Sequence, residues 1–132
     1  MAAAVGPLRV TLEDLSTLPA ARHSFAEWLG KVPVGETVAS DLVTAAGELC
    51  ANALRAAHSK AELCARVEAM SVVVDVTDDG EGMECGVPEE PPPPYEEAGR
   101  GLFVVRALVD VLWISRRPNG GTRATFARRL TP

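Results

Sequence analysis

The stretch Ser71-Val72-Val73-Val74-Asp75-Val76-Thr77-Asp78-Asp79-Gly80-Glu81-Gly82 decides how the rest of the chain is read. Its first residues alternate, with Val72, Val74 and Val76 on one face, which is the period of a half-buried β-strand. Asp78 has the same parity, so it belongs to the buried face, where a carboxylate needs a hydrogen-bond donor. Asp79, Gly80 and Gly82 then break the strand. Alone, the segment is also what an ordinary Asp-Asp-Gly turn looks like.

Working outward, Ala61 to Glu68 places Leu63, Ala65 and Val67 on one face and predicts a strand in hairpin order with the first. The residues between the two strands include neither glycine nor asparagine, the usual residues of a tight hairpin turn. Upstream, Val38, Leu42, Leu49 and Ala53 give a helical stripe from Glu36 to about His58, set off by Pro33 and Gly35. An earlier helix is expected from a Ser16 cap to about Lys31, with Pro19 in its first turn and Phe25, Trp28 and Leu29 on one side. Leu8 to Leu12 alternates and reads as a short strand.

Downstream, residues 83–98 hold Pro88, the run Pro91 to Pro94 and several glutamates, a stiff loop poor in backbone donors. A third helix is expected from Gly99 or Arg100 to about Asp110. Two more strands, Val111 to Arg116 and Thr122 to Leu130, flank a Pro118-Asn119-Gly120-Gly121 turn. The order β-α-α-β-β-loop-α-β-β predicts an α+β domain with helices on one face of a mixed, mostly antiparallel sheet, and one domain over residues 1–132.

Composition narrows the function classes. The 132 residues are 47% hydrophobic and 23% charged, as in an average globular domain. Thirteen basic against eighteen acidic residues, a formal net charge of -5, disfavour binding to nucleic-acid phosphates. Cys50, Cys64 and Cys85 form no C-x-x-C pair, which argues against a disulfide framework or zinc site and for small apolar residues in a reducing compartment. No apolar run approaches the ~20 residues of a membrane span, and the first residues lack a signal peptide's basic region. The expected setting is cytoplasmic.

Four short motifs carry chemistry. Glu48 and Asn52, in Glu48-Leu49-Cys50-Ala51-Asn52, lie one helical turn apart on one face, among apolar neighbours. An amide oxygen suits a hard cation such as Mg²⁺, and a carboxylate beside it suits a general base. Taken alone, the pair also fits a solvated helix face. The buried-face Asp78 would find its donor in the exocyclic amine of adenine, and Gly80 and Gly82 would let the base approach the backbone. Gly99-Arg100-Gly101-Leu102 opens a helix, where unpaired N–H groups favour an anion. Gly120-Gly121-Thr122 enters the last strand, with Thr122 on the same interior face as Ala124 and Phe126.

In this order the four motifs resemble the N, G1, G2 and G3 boxes of the Bergerat-fold ATPases, over about residues 36–130. Within that superfamily the chain is most similar to the small stand-alone serine kinases of the anti-sigma-factor type. The resemblance rests on Glu48-Leu49 with Asn52-Ala53, Asp78 to Gly80, and Gly99 to Leu102 leading into Val105-Arg106-Ala107-Leu108.

The resemblance implies ATP and Mg²⁺ as cofactors. Asn52 would hold the metal, and Glu48 would activate a serine or threonine hydroxyl. Asp78 would read adenine, with Thr122 helping through a water. Gly80 and Gly82 would lie along the base, Gly99 and Gly101 would face the phosphates, and Arg100 and Leu102 complete that motif. The implied partners are an anti-anti-sigma-type antagonist protein and, further, a sigma factor; a homodimer is compatible, and neither nucleic acid nor membrane is expected. Two rival readings stay open: a nucleotide-free or catalytically weak module that sequesters a regulator, and a detached histidine-kinase catalytic domain.

The chain departs from the family pattern at two places. Ala56 stands where many relatives carry a histidine, and His58 is expected to be a helix-end residue. Residues 83–98 would form the loop over the nucleotide, yet Glu84, Glu89, Glu90, Glu96 and Glu97 give it only negative charge. Such a loop should stay open without a partner and limit ATP affinity.

Overall fold

The computed structural model describes residues 5–81, 100–118 and 120–130. The expected loop over residues 83–98, with Gly82 and Gly99 at its edges, lies outside the described residues. Eight main elements follow one another: β1 (Leu8–Leu12), α1 (Leu18–Leu29), α2 (Glu36–Ala56), β2 (Ala61–Glu68), β3 (Ser71–Asp78), α3 (Arg100–Leu108), β4 (Val111–Arg116) and β5 (Thr122–Arg129). The strands form one sheet in the order β1-β2-β3-β5-β4. Among the described residues every pairing is antiparallel, so the mostly antiparallel sheet expected carries no parallel pair there.

The alternation read from the sequence becomes a two-faced sheet. Leu12, Leu63, Val72, Val74, Val76, Ile114 and Phe126 are all buried on the inner face. α2 meets them with Leu42, Ala45, Ala46, Leu49, Cys50 and Ala53, a stripe at helical spacing. α1 adds Phe25 and Trp28, whose rings stack with centroids 5.9 Å apart. The Trp28 indole N–H donates to the Gly6 carbonyl at 2.7 Å, so this buried ring keeps its polar atom satisfied. Cys50 is buried and Cys64 half-buried. Burial pushes the Cys50 thiol up to about 12, against the opposing pull of Arg22, which makes it an inert core residue.

Three local expectations change. Ser16 is not a helix cap. Asp14 accepts from the Ser16 N–H at 2.9 Å and opens a 3₁₀ turn over Leu15–Thr17, after which α1 begins at Leu18. α1 ends at Leu29, two residues early, where the Gly30 N–H turns back to Ala26 and Glu27. α2 ends at Ala56, so Ala57 and His58 lie beyond the helix, and His58 is exposed.

The β2–β3 hairpin turns through Ala69 (φ 50°) and Met70 (φ 62°), between the paired residues Glu68 and Ser71. Positive φ at both central positions is the turn that matches strand twist, but side chains other than those of Gly and Asn resist it. The eight-residue ladder on each side holds the turn in that conformation. Replacing the pair by Ala69→Asn and Met70→Gly should therefore raise stability by about 1 kcal/mol. Thermal unfolding would then move up by roughly 3–5 °C, and an unchanged midpoint would mean that the turn stores no strain.

Candidate functional site

The described residues of the four motifs meet at one end of the sheet, between α2, α3, the end of β3 and the start of β5. Glu48 and Asn52 are both half-buried on α2. The first turn of α3 lies directly against them. A Cβ added at Gly101 would stand 2.6 Å from Glu48 Oε2 and 3.5 Å from Asn52 Nδ2. A side chain at this position would push the end of the Glu48 side chain aside, and the first N–H groups of a helix have no intrahelical partner. Leu102, next in the chain, is 5% exposed and belongs to the core. Its side chain anchors α3, so any contact it makes with a ligand runs through the backbone. Arg100 begins α3.

The two aspartates of Asp78-Asp79-Gly80 divide their work. Asp78 is 4% exposed and faces inward, the parity expected of it. One carboxylate oxygen accepts from the Gly80 N–H at 2.9 Å. Asp79 faces the other way and serves the chain leaving α2. It accepts from the N–H groups of His58 at 2.8 Å, Ser59 at 3.0 Å and Lys60 at 3.4 Å, and from the Ser59 hydroxyl. The Ser59 hydroxyl and these backbone donors hold the Asp79 carboxyl well below the usual carboxylate range. This structural role of Asp79 was not assigned from the sequence.

Backbone meets backbone around Asp78 with no room to spare. A Cβ at Gly80 would sit 2.1 Å from the Ala56 carbonyl oxygen, at the last turn of α2. A Cβ at Gly121 would sit 1.9 Å from the Asp78 carbonyl oxygen, and Gly121 has φ +93° besides. The β4–β5 turn is thus pressed onto the end of β3. Thr122, 5% exposed, enters β5 beside it on the inner face, on the same side as Asp78.

One further residue belongs here. The Arg117 guanidinium donates to the Asp78 carbonyl at 2.9 Å, while its own N–H and C=O close the turn with Gly121 and Gly120. Arg117 therefore ties the β4–β5 turn to the residue at the end of β3. A turn arginine carries no sequence signal for such a contact, which depends on strands that are neighbours in the sheet but far apart in the chain.

The metal-binding expectation meets a specific competitor. Asn52 Oδ1 accepts from Arg55, one turn on, at 2.5 Å. The oxygen expected to face Mg²⁺ already faces a cation, so its surroundings suit positive charge. Among the described residues no cluster of three or more His, Cys, Asp or Glu would hold a metal alone. An ion here would share Asn52 with phosphate and water oxygens, the usual way Mg²⁺ is held beside a nucleotide.

Three expected outcomes test this architecture. Gly121→Ala should cost more than about 2 kcal/mol, because both its φ and the Asp78 carbonyl reject a Cβ. Arg117→Ala should cost about 1 kcal/mol, the net worth of one hydrogen bond. Denaturant titration measures both. Because the folded state lowers the Asp79 pKa, its contribution is present above its unfolded value and lost as pH falls through the folded one. Asp79→Asn should therefore be less stable than wild type at neutral pH, with the gap narrowing below about pH 4. A constant gap from neutral pH into acid would contradict this role.

The comparisons with known proteins agree with this fold. The family model described as histidine kinase-like ATPase domain matches residues 11–127. No curated protein sequence matches the chain. Two nucleotide-free forms of the catalytic domain of the histidine kinase ThkA superpose with TM-scores of 0.56 and 0.58, each at 18% identity. The matches cover 95% and 96% of this chain and 99% and 97% of those. The Acinetobacter baumannii histidine kinase AdeS matches at 15% identity and TM-score 0.54, over 98% of this chain and 70% of that one. At such identities the likeness is one of fold, and no described helix is long and apolar enough to cross a membrane. The family match spans nearly the whole chain, and with the meeting of the four motifs it makes this protein a member of the histidine kinase-like ATPase family, an ATP-binding domain of the Bergerat fold.

Proposed function

We propose that the domain is a regulatory serine/threonine protein kinase of the anti-sigma-factor type, transferring the γ-phosphoryl group of ATP to a hydroxyl on a small antagonist protein. The observation that carries this reading is the contact of the α3 backbone at Gly101 with Glu48 and Asn52. It supports the reading by bringing the Glu48 carboxylate and the Asn52 amide against the first turn of a helix, whose leading N–H groups have no intrahelical partner. Phosphoryl transfer asks mainly for positioning and charge neutralisation. In this reading the bond from the γ-phosphorus to ADP breaks as the bond to the hydroxyl oxygen forms, and Glu48 accepts the hydroxyl proton. Asn52 would hold Mg²⁺, which when bound neutralises the phosphates. Asp78 and Thr122, side by side on the inner face, would hold adenine, with Gly80 along the base. Gly82, Gly99 and Arg100 keep their proposed roles by motif alone.

Arg55 favours a second reading, a module that sequesters a regulator without chemistry. Its guanidinium already satisfies Asn52 Oδ1, so the helix face is complete with no metal present. The partners in either case, an anti-anti-sigma-type antagonist and a sigma factor, are proposals from the resemblance, as are a homodimer and a cytoplasmic setting.

Calorimetry with ATP and Mg²⁺ separates these readings. Under the kinase reading Asp78→Asn weakens ATP strongly, because the amine donor of adenine loses a charged acceptor. Glu48→Gln keeps nucleotide but loses transfer, and Asn52→Ala loses the Mg²⁺-dependent part of the affinity. Phosphorylated partner should survive acid, as phosphoserine does; acid-labile label would point to phosphohistidine and the histidine-kinase rival. Wild type that binds no ATP with Mg²⁺, or variants that bind and turn over unchanged, would overturn the proposal.

A further inference from the structure

The open edge of β4 carries a feature that nucleotide chemistry does not use. β4 is the last strand in the sheet order and pairs only with β5, so its other edge meets no strand among the described residues. Val111 is 58% exposed and Trp113 57% exposed, both on the face away from the helices. Large apolar side chains on an open edge are a hazard that natural sheets usually blunt with charge or cover.

The order of charges along this edge says what fits it. In Asp110-Val111-Leu112-Trp113-Ile114-Ser115-Arg116 an acidic and a basic residue stand at equal distances either side of Trp113. Both are exposed. Asp110 gives one carboxylate oxygen to the Arg129 N–H at 2.7 Å, and Arg116 forms no ion pair among the described residues. A strand with opposite charges at its two ends complements itself when a second copy runs antiparallel to it about a twofold axis.

The ladder limits how such copies can join. The Arg117 N–H donates to the Gly121 carbonyl at 3.0 Å, continuing the register in which Arg116 faces Thr122. Opposed residues in an antiparallel ladder alternate between pairs that exchange main-chain hydrogen bonds and pairs that do not. Ser115, Trp113 and Val111 therefore turn their N–H and C=O groups to β5, while Leu112, Ile114 and Arg116 turn theirs to the open edge. A pairing that uses these edge groups fully is centred on Leu112, Trp113 or Ile114. Centred on Leu112 or Ile114, it would set Asp110 opposite Ile114 or Pro118. Centred on Trp113, it sets Leu112 opposite Ile114 of the partner subunit and Asp110 opposite Arg116 of the partner subunit, at both ends.

We infer that β4 is a homodimer interface, where two copies join edge to edge about a twofold axis at Trp113 and their five-stranded sheets become one continuous antiparallel sheet. The two Trp113 side chains meet on the axis, in the closely spaced kind of pair that exchanges no main-chain bonds. Each Val111 lies across from Ser115 of the partner subunit, beside the partner's Trp113. This gives a place and a register to the homodimer that the family resemblance only allows. It uses none of Glu48, Asn52 and Asp78, so it stands whether or not the kinase reading holds.

Sedimentation of the whole chain over a wide range of concentrations, without nucleotide, tests this. The chain should pass from monomer to dimer as its concentration rises, and Trp113 emission should shift to shorter wavelength in step. Trp28, already buried and hydrogen-bonded, changes little. Trp113→Ser should weaken the dimer at least about tenfold, with an unfolding midpoint close to wild type at high dilution. Asp110→Arg and Arg116→Asp should each stay monomeric, because like charges then meet at both ends. Mixed together, the two variants should pair, since every arginine then faces an aspartate, and that recovery shows that both are folded. In a mixture of Val111→Cys and Ser115→Cys chains, oxidation should link position 111 of one copy to position 115 of the other, identified by mass spectrometry. A chain that stays monomeric at every concentration, as it would if another protein or other residues of the chain cover this edge, would overturn the inference. So would a dimer that Trp113→Ser and the charge variants leave intact, or cross-links that join position 111 elsewhere.

Discussion

The site depends on two places where backbone touches backbone and a side chain would not fit. Gly121 lies against the Asp78 carbonyl, and Gly80 lies against the last carbonyl of α2. These contacts fix the end of β3 relative to both the β4–β5 turn and α2, which are far apart in the chain. Once they are made, Asp78 and Thr122 come onto the same inner face at one end of the sheet, with Glu48 and Asn52 on the helix above. Close packing makes such a constraint hard to relax, because neighbouring atoms cannot yield by even a methyl group's width without cost.

Polar interactions then lock what the glycines allow. Asp79 gathers the N–H groups of residues 58–60, which would otherwise be unsatisfied donors where the chain leaves α2. Arg117 reaches across from the turn to the Asp78 carbonyl. The inner and outer faces of the sheet differ for the same reason. The inner face is apolar and covered by helices, apart from Asp78, Thr122 and the strand-end arginines Arg116 and Arg128. The outer face bears a charged network in which Arg66 bridges Glu68 and Asp75, and Asp75 in turn accepts from Thr125 at 2.5 Å. Partly exposed pairs of this kind add little stability each and mainly keep the face solvated. The departure from that pattern at Val111 and Trp113 is what makes the β4 edge stand out.

Much of this was legible in the residues. Period-two alternation marked β1, β2 and β3, and parity marked the start of β5, because one face of each is buried and the other wet, whereas β4 was placed by the turn that it flanks. Helical spacing marked α2 and its core stripe, and parity placed Asp78 and Thr122 on the inner face. What failed were local ends. Ser16 looked like a cap, but Asp14 took that place by opening a 3₁₀ turn. His58 looked helical, but Asp79 drew residues 58–60 out of the helix, a contact between residues some twenty positions apart. The β2–β3 turn offered no glycine or asparagine, and strand pairing imposed positive φ on Ala69 and Met70 regardless.

By itself, then, the sequence determined the fold class, the strand faces and the four motifs, since these follow from local periodicity and from residue types with few uses. The tertiary structure alone decided that every described strand pairing is antiparallel, that Gly101 rests on Glu48 and Asn52, and that Asp79 and Arg117 brace the site. It also decided that Arg55 reaches Asn52 and that Trp113 lies bare at an edge. Those outcomes depend on which distant segments become neighbours, and that is set by packing the whole core at once rather than by any window of the chain.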